Sequence, residues 1–212
     1  DLHSFPTRRS SDLFVKEIPE AVCCPSSAAV MPFSGKLSDI PVKQYLDDIF
    51  CDNVLRRTLG IAALNALSNL IWEKYDAENK PIMNRDAFDE IDVNKYDKTV
   101  VVGSLIPMLK KLIANNRDFT ILEQDPNTLK KHELQYYAPS EDAHKYVPDA
   151  DLLVITGVTV LNDTLSDLLE MARDDAEILV TGPTASMIPD VLFEKGVTMT
   201  GGIIVKIGRA HV

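Results

Sequence analysis

The second half of this 212-residue chain predicts an α/β protein with a Rossmann-like parallel sheet. Residues 99–102 are four consecutive β-branched residues, typical of a strand that is buried on both faces. Gly103 ends this run, and apolar residues then recur at helical spacing as far as Leu112. Strand-like and helix-like runs continue to alternate up to Val205, which is the pattern of a parallel sheet covered by helices.

The elements of this half follow from the same two periodicities. We expect strands at 99–102, 118–123, 151–157, 177–182 and, with an interruption, 197–205. Helices are expected at 105–112, 140–146, 162–172 and 189–194. The segment 126–137 has the composition of a loop, and Ser140 is a candidate helix cap.

The first half predicts helices more clearly than strands. Pro41 suits the first turn of a helix that runs to about Ile49, and Asn53 is a candidate N-cap for a long apolar helix over 54–72. One side of this helix is expected to carry Leu55, Leu59, Ala62, Ala66 and Leu70. Asn65 lies in the same apolar stretch, and a buried amide needs a hydrogen-bond partner, either a ligand or a neighbouring backbone.

Both ends of the chain resemble translated DNA-sequencing adapter, and we expect residues 1–13 and 207–212 to be artefacts of that kind, on a fragment of a longer gene product. Between them we expect a smaller N-terminal α+β domain over 14–90 and a Rossmann-like domain over 91–206. The boundary lies where the apolar periodicity lapses.

Composition narrows the classes of partner. The chain has 22 basic and 32 acidic residues and a net charge of −10, which disfavours binding to a phosphate backbone and so to nucleic acid. No apolar run is long enough for a membrane-spanning helix. Three cysteines do not make a disulfide framework, and reduced thiols in the cytoplasm are the expectation.

Three predicted strands end on small or hydroxyl residues, and the ends of parallel strands lie at one edge of a sheet, where ligands bind. Glycine there allows a ligand to reach the backbone, although tight turns also need glycine for packing alone. The expected ligand-binding residues are Asn65, Gly103, Ser104, Glu123, Thr156, Gly157, Asn162, Thr164, Gly182, Pro183 and Thr184.

Two acids, Glu123 and Asp125, follow the second strand, about where an acid binds the ribose of dinucleotides in such folds. The glycine-rich half of that fingerprint is absent, since the turn at Gly103 has one glycine. The pair could instead hold a ligand hydroxyl, an amine or a metal, or be solvated loop acids. No catalytic triad, nucleophile elbow or zinc spacing occurs, so no catalytic residue is assigned.

Several runs of the chain together resemble the Putative heavy-metal chelation domain family of uncharacterised prokaryotic proteins. These runs are 32–37, 59–67, 100–104, 119–126, 150–157, 162–165, 180–184, 189–196 and 200–205. The resemblance implies an N-terminal domain like that of enolase, here truncated, joined to a Rossmann-like domain with a ligand site in the cleft between them.

Two functions follow as expectations. The first is the binding of a metal, a metal chelate or a small metabolite in the cleft, with a divalent or heavy metal ion as the ligand that the resemblance implies. The alternative is an enzyme of chelator synthesis that uses a nucleotide-like cofactor on the Rossmann-like half. The oligomeric state is not predicted.

Overall fold

The computed structural model describes residues 40–75 and 79–203. Its centre is a six-stranded sheet in which every neighbouring pair of strands is parallel, in the order β3-β2-β1-β4-β5-β6. The strands are β1 (Thr99–Val102), β2 (Phe119–Glu123), β3 (Tyr137–Pro139), β4 (Leu152–Thr156), β5 (Glu177–Thr181) and β6 (Met199–Gly201). This order is that of the Rossmann fold, so the predicted fold class is confirmed.

The α-helices of the described residues are α1 (Val42–Asp47), α2 (Val54–Lys74), α3 (Ala87–Glu90), α4 (Ile106–Ala114), α5 (Ala143–Tyr146), α6 (Val158–Leu161), α7 (Leu165–Met171) and α8 (Asp190–Glu194). Short 3-10 turns cover Asp48–Phe50, Val93–Lys95, Pro126–Thr128, Leu134–Tyr136, Ser140–Asp142, Val147–Asp149 and Pro183–Ala185. None of these helices is long and apolar enough to cross a membrane.

Helices cover both faces of the sheet, and alternate residues of each strand point to opposite faces, so successive side chains are buried on different sides. Val100 and Val102 of β1 pack among residues of α5, α7 and α8, whereas Val101 packs against α4. All four residues of β1 are buried, as the run of β-branched residues predicts.

The segment before β1 also packs on this sheet. Ile91 and Val93 are 1% exposed and belong to the same apolar cluster as α4. Lys111 of α4 donates to the carbonyls of Phe88 and Ile91, so the chain from α3 onward is tied to the Rossmann-like half. The proposed boundary at residue 90 stays a prediction.

Helix α2 begins where it was predicted to begin, and Asn53 is its N-cap: Asn53 Oδ1 accepts the Arg56 amide at 3.1 Å. Helix α1 lies so close to it that a Cβ on Gly60 would be 2.5 Å from the Tyr45 carbonyl oxygen. The part of the predicted N-terminal domain before residue 40 and both adapter-like ends lie outside the described residues.

Some local predictions are wrong. The segment expected to be a loop at 126–137 ends in an additional strand, β3, which pairs with β2 from Ile121↔Tyr137 onward. Ser140 does not cap a helix: it is the first residue of a 3-10 turn whose N-cap position is occupied by Pro139, without a side-chain hydrogen bond. The helix expected at 162–172 begins only at Leu165, because Asn162 ends the unpredicted helix α6 and Asp163 has a left-handed backbone with φ +60°.

Candidate functional site

The strand order reverses between β1 and β4, and the carboxyl ends of these strands lie side by side. Gly103 follows β1 with φ +93°, and a Cβ there would lie 2.8 Å from Thr156 Cγ2 at the end of β4. Such a reversal is where open α/β sheets bind ligands. We call the edge formed by the carboxyl ends of β1, β2, β4 and β5 the carboxyl edge.

Glu123 at the end of β2 is held in a hydrogen-bond network. Its Oε1 accepts the amides of Gln124 (2.8 Å) and Asp125 (3.1 Å), and its Oε2 accepts the Ser104 hydroxyl (2.9 Å). The Ser104 hydroxyl lies 2.6 Å from that of Thr128, a residue that the sequence analysis missed. Glu123 and Ser104 are half-buried, so this corner is fixed in position yet reachable from solvent.

The Asp125 backbone belongs to this network, and its carboxylate accepts hydrogen bonds within its own loop. Its Oδ1 accepts the backbone amide (3.1 Å) and the side-chain amide (2.9 Å) of Asn127. Within the described ranges, no group of three or more His, Cys, Asp or Glu residues is placed to hold a metal ion. Glu123 and Asp125 therefore act as hydrogen-bond acceptors in this structure, and their predicted role as metal ligands stays a prediction.

The β4 and β5 ends are more tightly packed. The Gly157 amide donates to the Thr181 carbonyl (2.7 Å), and a Cβ on Gly157 would lie 2.9 Å from the Ala185 nitrogen. Gly182, with φ +127°, donates to the Gly201 carbonyl at 2.8 Å. Gly157 therefore serves close packing, while Gly182 remains half-buried at the carboxyl edge.

Asn65 of α2 binds the loop after β5. Its side-chain amide donates to the Pro183 carbonyl (3.0 Å) and is 3.4 Å from the Thr184 carbonyl, and the residue is 1% exposed. Two carbonyl oxygens on one side require the NH₂ group there, which fixes the orientation of the amide. Asn65 Oδ1 is then buried with no hydrogen-bond partner.

Neighbours of Asn65 strengthen this attachment. Ser68 Oγ accepts the Ile188 amide at 3.1 Å, and Ile61 and Ala62 pack with Leu161 of α6. Ser68 was missed by the sequence analysis, although its spacing of three residues from Asn65 places both on one face of the helix.

The turn between α6 and α7 carries the remaining predicted residues. Asn162 is exposed and ends α6, and Thr164 is half-buried and precedes α7 without capping it. Arg57 of α2 reaches this turn, donating to the Leu161 carbonyl at 2.9 Å and to the Cys51 carbonyl at 3.2 Å. The first half of the chain thus contacts the segments that follow β4 and β5, through Arg57 and through Asn65 and Ser68.

The comparisons with known proteins agree with this architecture. The model of the family DUF364, described as "Putative heavy-metal chelation", matches residues 86–210. An uncharacterized protein of Methanocaldococcus jannaschii is 29% identical over 175 residues, which cover 77% of this chain and 62% of the relative.

Two solved structures of DUF364 proteins of unknown function are also similar. One, from Pyrococcus horikoshii, has a TM-score of 0.62 at 23% identity and covers 76% of this chain and 63% of its own. The other, from Desulfitobacterium hafniense, has a TM-score of 0.61 at 28% identity and covers 79% of this chain and 63% of its own. The chain thus spans less than two thirds of the length of each of these relatives.

Proposed function

We propose that this chain, which belongs to the DUF364 family described as "Putative heavy-metal chelation", binds a metal chelate or a chelator-like small metabolite at the carboxyl edge, beside α2. The residues proposed to meet the ligand are the half-buried or exposed ones of this edge: Gly103, Ser104, Glu123, Thr156, Asn162, Thr164, Gly182 and Pro183. Asn65, Gly157 and Thr184 are proposed to shape the site from behind.

The observation that carries the proposal is the kind of donor group gathered at this edge. Hydroxyls, an amide and backbone groups outnumber carboxylates, and no described group of three metal-ligating side chains accompanies them. A bare cation needs several charged or soft protein ligands. A preformed chelate brings its own ligand atoms, so a surface of neutral hydrogen-bonding groups and one carboxylate suits it better.

The test compares metals with and without a chelator. The full chain is heated with Ni²⁺, Co²⁺, Zn²⁺ or Cd²⁺ alone and with the same metal as its citrate complex, and the unfolding temperature is recorded. We expect at least one complex to raise Tm more than either component, because a ligand that binds only the folded state stabilises it. The absence of any such excess for all four metals would contradict the proposal.

A matched pair of variants locates the effect. Asn162→Ala removes an exposed amide at the carboxyl edge, whereas Asn115→Ala removes one at the end of α4, next to the start of β2 at the opposite edge. We expect the first variant to reduce the Tm increase given by the complex and the second to leave it unchanged. Equal effects in both variants would place the binding elsewhere.

A further inference from the structure

In the turn between β1 and α4, the amides of Leu105 and Ile106, which lie where a diphosphate is held in dinucleotide-binding folds, are already engaged. The Leu105 amide donates to the Gly103 carbonyl (2.8 Å), and the Ile106 amide donates to the Ser104 carbonyl (3.0 Å). Pro107, the next residue, has no amide hydrogen. Since phosphates bind such turns through free amides, these three positions give a diphosphate nothing to bind.

The acidic residue that binds a ribose in such folds is, in contrast, present. Glu123 ends β2, the strand next to β1, and this is the position from which an acid binds ribose hydroxyls in Rossmann folds. Two backbone amides fix its Oε1, which leaves Oε2 as the oxygen that can exchange partners.

The two hydroxyl groups near Glu123, those of Ser104 and Thr128, have fewer hydrogens than they have hydrogen-bond contacts. Ser104 is within hydrogen-bond distance of Glu123 Oε2 and of the Thr128 hydroxyl, and the Thr128 hydroxyl is 2.8 Å from the Asp125 carbonyl oxygen. A carboxylate and a carbonyl bring no hydrogen, so two hydroxyls must serve three contacts. When Ser104 donates to Thr128 and Thr128 to Asp125, Glu123 Oε2 is left to accept a hydrogen bond from a ligand.

We infer that the Glu123 corner of the carboxyl edge binds the vicinal diol of a nucleoside that carries no diphosphate. A ribose hydroxyl donates to Glu123 Oε2 while Ser104 turns its hydrogen to Thr128. The carboxylates of Glu123 and Asp125 add repulsion against a phosphate group. This inference deepens the proposed function, on which it rests for the location of the site but not for the metal.

The experiment is isothermal titration of the full chain with adenosine and uridine, with their 2′,3′-dideoxy counterparts, and with NAD⁺. We expect at least one nucleoside to bind at least tenfold more tightly than its dideoxy counterpart, and NAD⁺ to bind no more tightly than adenosine. Glu123→Gln keeps an acceptor for the backbone amides but removes the charge, and should raise the Kd of that nucleoside at least tenfold. The matched control Glu170→Gln, on the exposed side of α7, should not change it.

Ser104→Ala separates this arrangement from a direct contact. Because the variant removes the internal competitor for Glu123 Oε2, we expect it to bind the nucleoside at least as tightly as the parent chain. Weaker binding by Ser104→Ala, equal binding of the dideoxy compounds, an unchanged Kd in Glu123→Gln, tighter binding of NAD⁺, or no binding of either nucleoside would overturn the inference.

The chelate measurement on the same protein keeps the two proposals apart. If the metal complex still raises Tm while neither nucleoside binds, the nucleoside inference alone fails. If neither ligand binds, the proposed function fails with it.

Discussion

Tyr96 shows at the residue scale how one contact makes stability depend on pH. Its hydroxyl donates to the carboxylate of Glu177, and its pKa is raised first by burial and then by this hydrogen bond. A pKa raised in the folded state means that folding favours the protonated phenol. The stabilisation is therefore fully present below the ordinary tyrosine pKa of about 10 and is lost as the pH rises above it.

Tyr96→Phe should remove both the hydrogen bond and this pH dependence. We expect the free energy of unfolding to fall by about 1 kcal/mol at pH 8, because one hydrogen bond to a partly exposed carboxylate is lost. The difference between variant and parent should shrink between pH 9 and 11. Urea unfolding at both ends of that interval measures it, with the exposed Tyr75→Phe as control, and a difference that grows with pH would be incompatible with this account.

Asn65 and Ser104 show which contacts of single residues can be predicted from the sequence and which cannot. The context of Asn65 predicts a buried amide that needs a partner, and the amide is buried and bonded to the Pro183 carbonyl. The sequence could not choose between a ligand and a neighbouring backbone as that partner, because the contact joins residues 118 positions apart. The Ser104–Thr128 contact was missed for the same reason, since it depends on how two loops meet.

At the scale of elements, α2 buries only part of the face predicted for it: Leu55 and Ala62 are buried as expected, and Leu59 is half-buried. Ala66 and Leu70, expected on the inner side, are exposed, while Thr58, Asn65 and Ser68 are buried. For Asn65 and Ser68 the reason is the partner: they bond to backbone groups of the loop after β5, which need polar side chains. Thr58 instead donates to the Val54 carbonyl of its own helix. A helix that is apolar nearly all round carries little information about which face is buried.

Ser68→Ala tests the attachment of α2 to this loop. The Ile188 amide loses its acceptor, so we expect the free energy of unfolding to fall by about 1–2 kcal/mol. The Ile188 amide should also exchange with deuterium faster than in the parent chain, measured by native-state exchange. Ser166→Ala, at an exposed position of α7, is the control. Unchanged exchange at Ile188 would mean that this hydrogen bond does not hold the loop.

The strands were predicted well where they are long and apolar and poorly where they are short. Four of the predicted strands match β1, β2, β4 and β5 within one or two residues. The missed strand β3 has three residues, ends in Pro139 and lies at the edge of the sheet, so neither alternation nor an apolar run reveals it.

For the whole molecule, alternation of strands and helices predicts a parallel sheet but not the order of its strands. That order, which places Gly103 beside Thr156, comes from long-range packing on both faces of the sheet. The parallel direction of the six strands gathers their carboxyl ends at one edge and their amino ends at the other. At the edge formed by the amino ends of the strands (the amino edge), Asp151 accepts the amides of Asp97 (3.1 Å) and Lys98 (3.0 Å) and pairs with Arg173. The polar groups of Asp151 are therefore engaged in holding the fold.

Deuterium exchange of the full chain, with and without the metal–citrate complex that raises Tm most, tests the location of the site most directly. We predict slower exchange at 103–106, 123–128 and 182–184 when the complex is present, and no change at 97–98 and 149–151. Protection confined to the amino edge, or none at the carboxyl edge, would contradict the account.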